Sequence, residues 1–222
     1  MGKGDDKMQV NSYIKTAYRV LLIAVILCGL YLSIFMPLMP EEGLPAIYYF
    51  TIQSNILVVL ALLYFIFNPE PGRFRAILRG CVLLCIMATG LIFHIVLVPA
   101  LPEYFSEGLA FRHHITHTIA PLGFFLDWLF FDRSGQLRYS DVRYWFIFPS
   151  LYYLFSVIQG SFSGMYPYFF FDVQAIGFGA TILWLVGLIA IFSGIGFILV
   201  WLDSLKLPCR SSNENSGIVD KI

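Results

Sequence analysis

Phe111-Arg-His-His-Ile-Thr-His-Thr-Ile-Ala-Pro121 carries three of the chain's four histidines, His113, His114 and His117, inside a sequence that otherwise reads as hydrocarbon. An ionisable side chain within a bilayer is costly, so by default it faces the interior of a helix bundle and marks a functional position. The surrounding chain sets that bilayer context. Its 222 residues are 59% hydrophobic with a mean hydropathy of +0.77, and 14 Lys and Arg balance 14 Asp and Glu. This is too apolar for a soluble domain of that size. A spanning helix needs about 20 mostly apolar residues at about 1.5 Å each, and six such runs can be placed, at 17–36, 46–67, 76–98, 110–131, 144–162 and 177–201. The expected fold is therefore all-α: a polytopic membrane protein with six transmembrane helices in a single domain, 1–222, with flexible tails at 1–12 and 206–222.

Charge gives the orientation independently, because Lys and Arg collect on the cytoplasmic side of short loops. Lys3, Lys7, Lys15 and Arg19 precede or open the first run; Arg73, Arg75 and Arg79 lie at the second loop, Arg133, Arg138 and Arg143 at the fourth, and Lys206, Arg210 and Lys221 in the last tail. The other loops hold Glu41, Glu42, Glu103, Glu107 and Asp172, with Arg112 as their one basic residue. Both termini are expected in the cytoplasm. The first run is long and lacks a following cleavage site, so it reads as a retained anchor rather than a signal peptide. Cys28, Cys81, Cys85 and Cys209 fall within helices or on the reducing side, which implies no disulfide framework. Cys81 and Cys85, one turn apart, suit a helix core or a pair of metal ligands, and Cys209 beside the membrane is a candidate for acylation.

The second run begins Tyr48-Tyr-Phe-Thr-Ile-Gln-Ser-Asn55, which sets Thr51, Gln53, Ser54 and Asn55 where lipid favours leucine. Thr51, Ser54 and Asn55 share one helical face, suited either to hydrogen bonding across helices or to lining a site. His94 lies near the outer end of the third run. Thr51 and His117 sit at matching depth, about 8–11 Å below the outer edge. That depth makes possible a hydroxyl nucleophile with an imidazole base.

Other roles compete for the histidines. His113 and His117 are spaced i, i+4 and His114 and His117 i, i+3, as metal ligands can be, but no acidic third ligand stands close on the same helix, so no metal site is assigned. His113 and His114 suit the outer water interface beside Arg112. Pro121 removes the N–H that would bond the carbonyl of His117 and should kink the helix there. Asp127 lies about 15 Å below His117, too far to orient it, and is expected in a structural ion pair with Arg79.

Gln159-Gly-Ser-Phe-Ser-Gly164 fails as a nucleophile elbow because Phe162 occupies the position serine must hold. The aromatic loop Met165-Tyr-Pro-Tyr-Phe-Phe-Phe-Asp172 suits an interfacial belt or lid, with Asp172 placed to orient His117. Ala180, Gly187 and Gly194 form a small-residue seam for helix contact. No internal repeat suggests a transporter of inverted halves, and no Gly-rich phosphate loop or nucleic-acid patch is present.

Phe50-Thr-Ile-Gln-Ser-Asn55, Leu78-Arg-Gly80, His117-Thr-Ile-Ala-Pro121, Leu126-Asp-Trp128 and Tyr166-Pro-Tyr168 with Asp172 resemble a widespread group of bacterial six-pass membrane proteins. That group is in turn distantly similar to the androgen-induced protein family of vertebrates, integral-membrane hydrolases of fatty acid esters of hydroxy fatty acids. The resemblance implies a bacterial inner-membrane location, a lipid ester substrate among membrane lipids, no cofactor, Thr51 as nucleophile and His117 as base. Ungapped alignment sets the vertebrate histidine on Thr116, one residue away. Ser54, Asn55 or Tyr168 would supply oxyanion donors, with His94, His113, His114, Gln159 and Asp172 as supporting or substrate-binding residues. The alternative is a non-catalytic membrane protein or transporter with a polar or metal-binding pocket between helices 2, 3 and 4. No protein partner is assigned.

Overall fold

The computed structural model describes residues 3–36, 44–103, 109–133 and 135–205, and among them every regular element is helical. The whole of the expected 206–222 tail, with Cys209, and part of the outer loops, with Glu41, Glu42 and Glu107, lie outside the described residues. Helix α1 is Lys3–Phe35, α2 is Phe50–Phe67 and α3 is Arg73–Ala100. Helix α4 is the continuous helical stretch 111–132, α5 is Ile147–Ser163 with the short helix Val142–Trp145 before it, and α6 is Phe178–Ser204. The first helix thus runs back to Lys3, into the region where the sequence suggests a tail.

Among the described residues four helices are long and apolar enough to cross a membrane: Ser12–Phe35, Phe50–Phe67, Arg73–Ala100 and Phe178–Ser204. Helix α4 is long enough but diluted by His113, His114, His117 and Asp127, while α5 has 17 residues. Local chemistry explains the ends. Pro69 and Pro71 follow α2, and a residue before proline is pushed out of helical geometry. Gly164 closes α5 in the left-handed conformation at φ 73°, where a side chain would be strained.

Helix α3 is the hub, packed on α2, α4, α6 and the Val142–Trp145 helix. Glycine permits its closest approach: a Cβ at Gly80 would lie 2.0 Å from the Trp145 ring, which is itself fully buried. The expected seam on α6 is not a contact within the chain, since Cβ atoms at Gly187 and Gly194 would meet nothing within 4 Å. Helix α6 instead approaches the bundle at Gly196, where a Cβ would lie 3.0 Å from Val142.

At one end of the bundle a buried ionic cluster joins three helices. Arg19 of α1 grips Asp127 of α4 through Nε to Oδ1 at 2.8 Å and Nη2 to Oδ2 at 3.1 Å. Arg79 of α3 brings Nη1 within 2.7 Å of Asp127 Oδ2, the expected ion pair. Asp132 is shared further: its Oδ2 meets Arg19 at 2.8 Å, Arg75 at 2.6 Å and also Arg79, and its Oδ1 takes Lys15 at 2.6 Å. The Phe65 ring underlies the cations, 4.3 Å from the Arg75 guanidinium and 4.0 Å from that of Arg79, a favourable placement over a ring's negative face. Arg143, in the short helix Val142–Trp145, stays out of the cluster and donates to the Tyr144 hydroxyl. Through Arg19 and Lys15 the first helix contributes charge to the cluster as well as apolar packing.

Leaving a buried charge without its partner is more costly than never burying the pair. Asp127→Ala should therefore cost about 3–5 kcal/mol, seen as a large fall in the unfolding midpoint of detergent-solubilised protein. An unchanged midpoint would show that the cluster does not hold the bundle.

Candidate functional site

At the other end of α4 the helix widens into a π-helical turn over Ile115–Ile119, in which Ala120 N–H reaches the carbonyl of Ile115. Pro121 lacks an N–H for the carbonyl of His117, so the expected kink takes the form of a wide turn. Helix α3 does the same over Phe93–Leu97, two residues before Pro99, with Val98 N–H bonded to Phe93 O. The two wide turns face each other. Phe93 stacks on the His117 ring with centroids 3.7 Å apart and planes 19° apart, fixing the imidazole plane from one side.

Thr51 is in the first turn of α2, and its Oγ1 lies 3.1 Å from His117 Nε2. Both residues are buried. The opposite ring nitrogen fixes the tautomer. His117 Nδ1 is 3.2 Å from the carbonyl of His113, which can only accept, and 3.0 Å from Thr116 Oγ1. The Thr116 hydroxyl donates to Arg112 O at 2.9 Å, so it too offers Nδ1 a lone pair. Nδ1 therefore carries the proton, and Nε2 presents its lone pair to the Thr51 hydroxyl. Chemically, this arrangement can take a proton from Thr51 when its oxygen attacks an electrophile.

The remaining polar residues of α2 brace this pair. Asn55 Nδ2 donates to Thr51 O at 2.8 Å and to Thr116 O at 3.1 Å, tying α2 to α4. Ser54 reaches Thr51 O at 3.1 Å and Thr89 Oγ1 at 2.8 Å, while Thr89 donates to Cys85 O. The hydrogens that Asn55 and Ser54 would offer an oxyanion are thus already directed elsewhere. Tyr168 differs. Its hydroxyl interacts with the side chain and backbone of Thr51; burial pushes its pKa up and that contact only partly offsets the rise, so the phenol stays protonated and able to donate.

Thr51, Thr89 and Tyr168 open onto a cavity of about 260 Å³ between α2, α3, α5, α6 and the aromatic segment 168–171. Its walls are chiefly apolar, with Phe50, Phe146, Leu188 and Phe192 among them. Helix α4 supplies His117 behind Thr51 and does not line this cavity.

Several expected participants are placed away from the pair. Asp172 accepts Gln174 N and Ala175 N at 3.0 Å and caps the helix Val173–Ile176, so the group that orients His117 is the His113 carbonyl. Gln159 donates to Ser163 at 2.8 Å at the end of α5. His94 is exposed and bonds Thr118 at 2.9 Å, His114 is exposed, and the His113 ring stacks with Phe93 at 5.7 Å. Cys81 lies 4.0 Å from Trp145 O and Cys85 is buried beside Thr89. Among the described residues no three His, Cys, Asp or Glu gather around a position for a metal ion. Phe93 and Tyr152 carry no sequence signal that separates them from other aromatic residues; Tyr152 lines the cavity and donates to Tyr48 O at 2.9 Å.

Compared with family models, with curated proteins and with solved structures, the chain matches none.

The site depends on close contact between α3 and α4. A Cβ at Gly90 would lie 2.8 Å from His117 O and 3.1 Å from Pro121 Cγ. The first of these is backbone and cannot swing aside. Gly90→Ala should push α3 from the wide turn, lowering stability by about 1–3 kcal/mol and disturbing the pair. A wild-type unfolding midpoint in Gly90→Ala would contradict that packing.

Proposed function

We propose that this chain is a six-pass integral membrane hydrolase of lipid esters, with Thr51 as nucleophile and His117 as general base and then acid. The observation that carries the reading is the 3.1 Å contact between Thr51 Oγ1 and the unprotonated Nε2 of His117, at the edge of a largely apolar cavity. The resemblance to the bacterial six-pass group and to the androgen-induced hydrolases supports the same residues.

In this mechanism Thr51 Oγ1 attacks the ester carbonyl as His117 Nε2 takes its proton. The carbonyl oxygen becomes an oxyanion, and Tyr168 is the donor best placed to receive it. Collapse breaks the bond to the alcohol oxygen, which leaves with the proton from Nε2, and the acyl group stays on Thr51. Water then attacks the acyl carbonyl, giving a proton to Nε2; the acid departs and that proton returns to Thr51 Oγ1. The apolar cavity accepts a hydrocarbon portion of the substrate. The positive-inside charge pattern supports cytoplasmic termini and a site in the outer half of a bacterial inner membrane, with α4 and α5 as the spans beyond the four apolar helices.

Purified protein in mild detergent should label with a broad fluorophosphonate probe, and both Thr51→Ala and His117→Ala should abolish labelling while keeping the wild-type unfolding midpoint. His117→Ala should lower hydrolysis of a medium-chain nitrophenyl ester by about 10²–10⁴-fold. Folded wild-type protein that neither labels nor hydrolyses the ester would overturn the proposal.

A further inference from the structure

The ionic cluster at the opposite end of the bundle is not balanced by its own residues. Lys15, Arg19, Arg75 and Arg79 bring four positive charges to the two carboxylates of Asp127 and Asp132. Among the described residues no third carboxylate pairs with any of the four; the neighbouring Asp141 is taken by Arg73. A buried charge is tolerated when it is paired, so an excess of positive charge at such a site calls for an anion.

Exposure shows from which side one can arrive. The side chains of Asp127, Arg19 and Arg79 are 0–3% exposed, those of Arg75 and Asp132 10%, and that of Lys15 23%. The cluster is closed at Arg79 and opens at Lys15 and Arg75. Unused donors remain. Among the described residues Lys15 Nζ bonds only Asp132 Oδ1, which leaves two hydrogens. Arg79 Nε is buried with no hydrogen-bond partner among the described residues. Phe65 and Phe124, 4.0 and 4.7 Å from the Arg79 guanidinium, keep the charges in a water-poor setting, where an arriving anion is held more strongly than in water.

We propose that Lys15 and Arg75, at the open rim, form a binding site for the phosphate of an anionic phospholipid headgroup, which balances the charge that Arg79 adds behind them. The bundle carries long apolar helices, so a phospholipid headgroup is the phosphate such a rim meets at a membrane surface. A phosphate monoester carries more charge than a diester and should bind better. The site is independent of the Thr51 and His117 chemistry.

The test uses the full chain in mild detergent, with the unfolding midpoint measured after adding phosphatidic acid, phosphatidylglycerol, phosphatidylcholine or inorganic phosphate. Phosphatidic acid near saturation should raise the midpoint by about 5–10 °C, phosphatidylglycerol by less, and phosphatidylcholine should leave it unchanged. Lys15→Gln combined with Arg75→Gln should remove the response, and the charge-keeping pair Lys15→Arg with Arg75→Lys should retain it. If the double glutamine variant does not fold, Lys15→Gln alone, at the most exposed member, should reduce the shift. A full shift with inorganic phosphate alone would overturn the lipid as occupant while leaving an anion site. An equal response to phosphatidylcholine and phosphatidic acid, or an undiminished response in the folded glutamine variants, would overturn the site itself.

Discussion

Two carboxylates on one helix hold the bundle in register. Asp127 and Asp132 of α4 receive Arg19 from α1 and Arg75 and Arg79 from α3, so three helices that are distant in sequence meet at fixed heights. Apolar contacts alone leave helices free to slide, because one leucine replaces another at little cost. A guanidinium bonded at 2.8 Å to a buried carboxylate does not slide, since the move would strand a charge. With that end fixed, the heights of residues at the other end of α4 relative to α3 follow from helical rise.

That consequence matters for His117. Its carbonyl loses its i+4 donor because Pro121 has no N–H, and both α4 and α3 widen by a π-helical turn where they meet. The paired wide turns bring the Phe93 ring onto the imidazole, let Gly90 approach the His117 carbonyl and turn Nε2 towards Thr51. The imidazole is held by its neighbours rather than by a carboxylate. A backbone carbonyl as the partner of Nδ1 selects the same tautomer an aspartate would, without burying another charge.

The two ends of α4 thus differ in kind. One end gathers paired formal charges, while the other, apart from Arg112 held by the carbonyls of Leu32 and Met36, joins hydroxyl, amide and imidazole groups through neutral hydrogen bonds. Thr51 sits where that neutral network meets an apolar cavity, so its hydroxyl is the polar edge of a hydrocarbon-lined space. This contrast supports assigning lipid ester chemistry to one end and phosphate binding to the other.

Sequence by itself determined the helical class and the apolar runs, because continuous hydropathy over about 20 residues leaves the backbone few alternatives in a membrane. It also set Thr51 and His117 at matching depth and put Asp127 near Arg79, since both follow from counting residues along helices. It did not separate Asp172, which caps a local helix, from the His113 carbonyl, which holds His117, because a carbonyl is present at every position and carries no sequence signal. Nor did it mark Arg19 and Asp132 as members of the ionic cluster, or put the cavity on the α5 and α6 side of Thr51. Those outcomes depend on which faces of separate helices meet. That choice was made by tertiary packing, where glycines allow backbones to close and buried charges must find partners, and no periodicity within one helix encodes it.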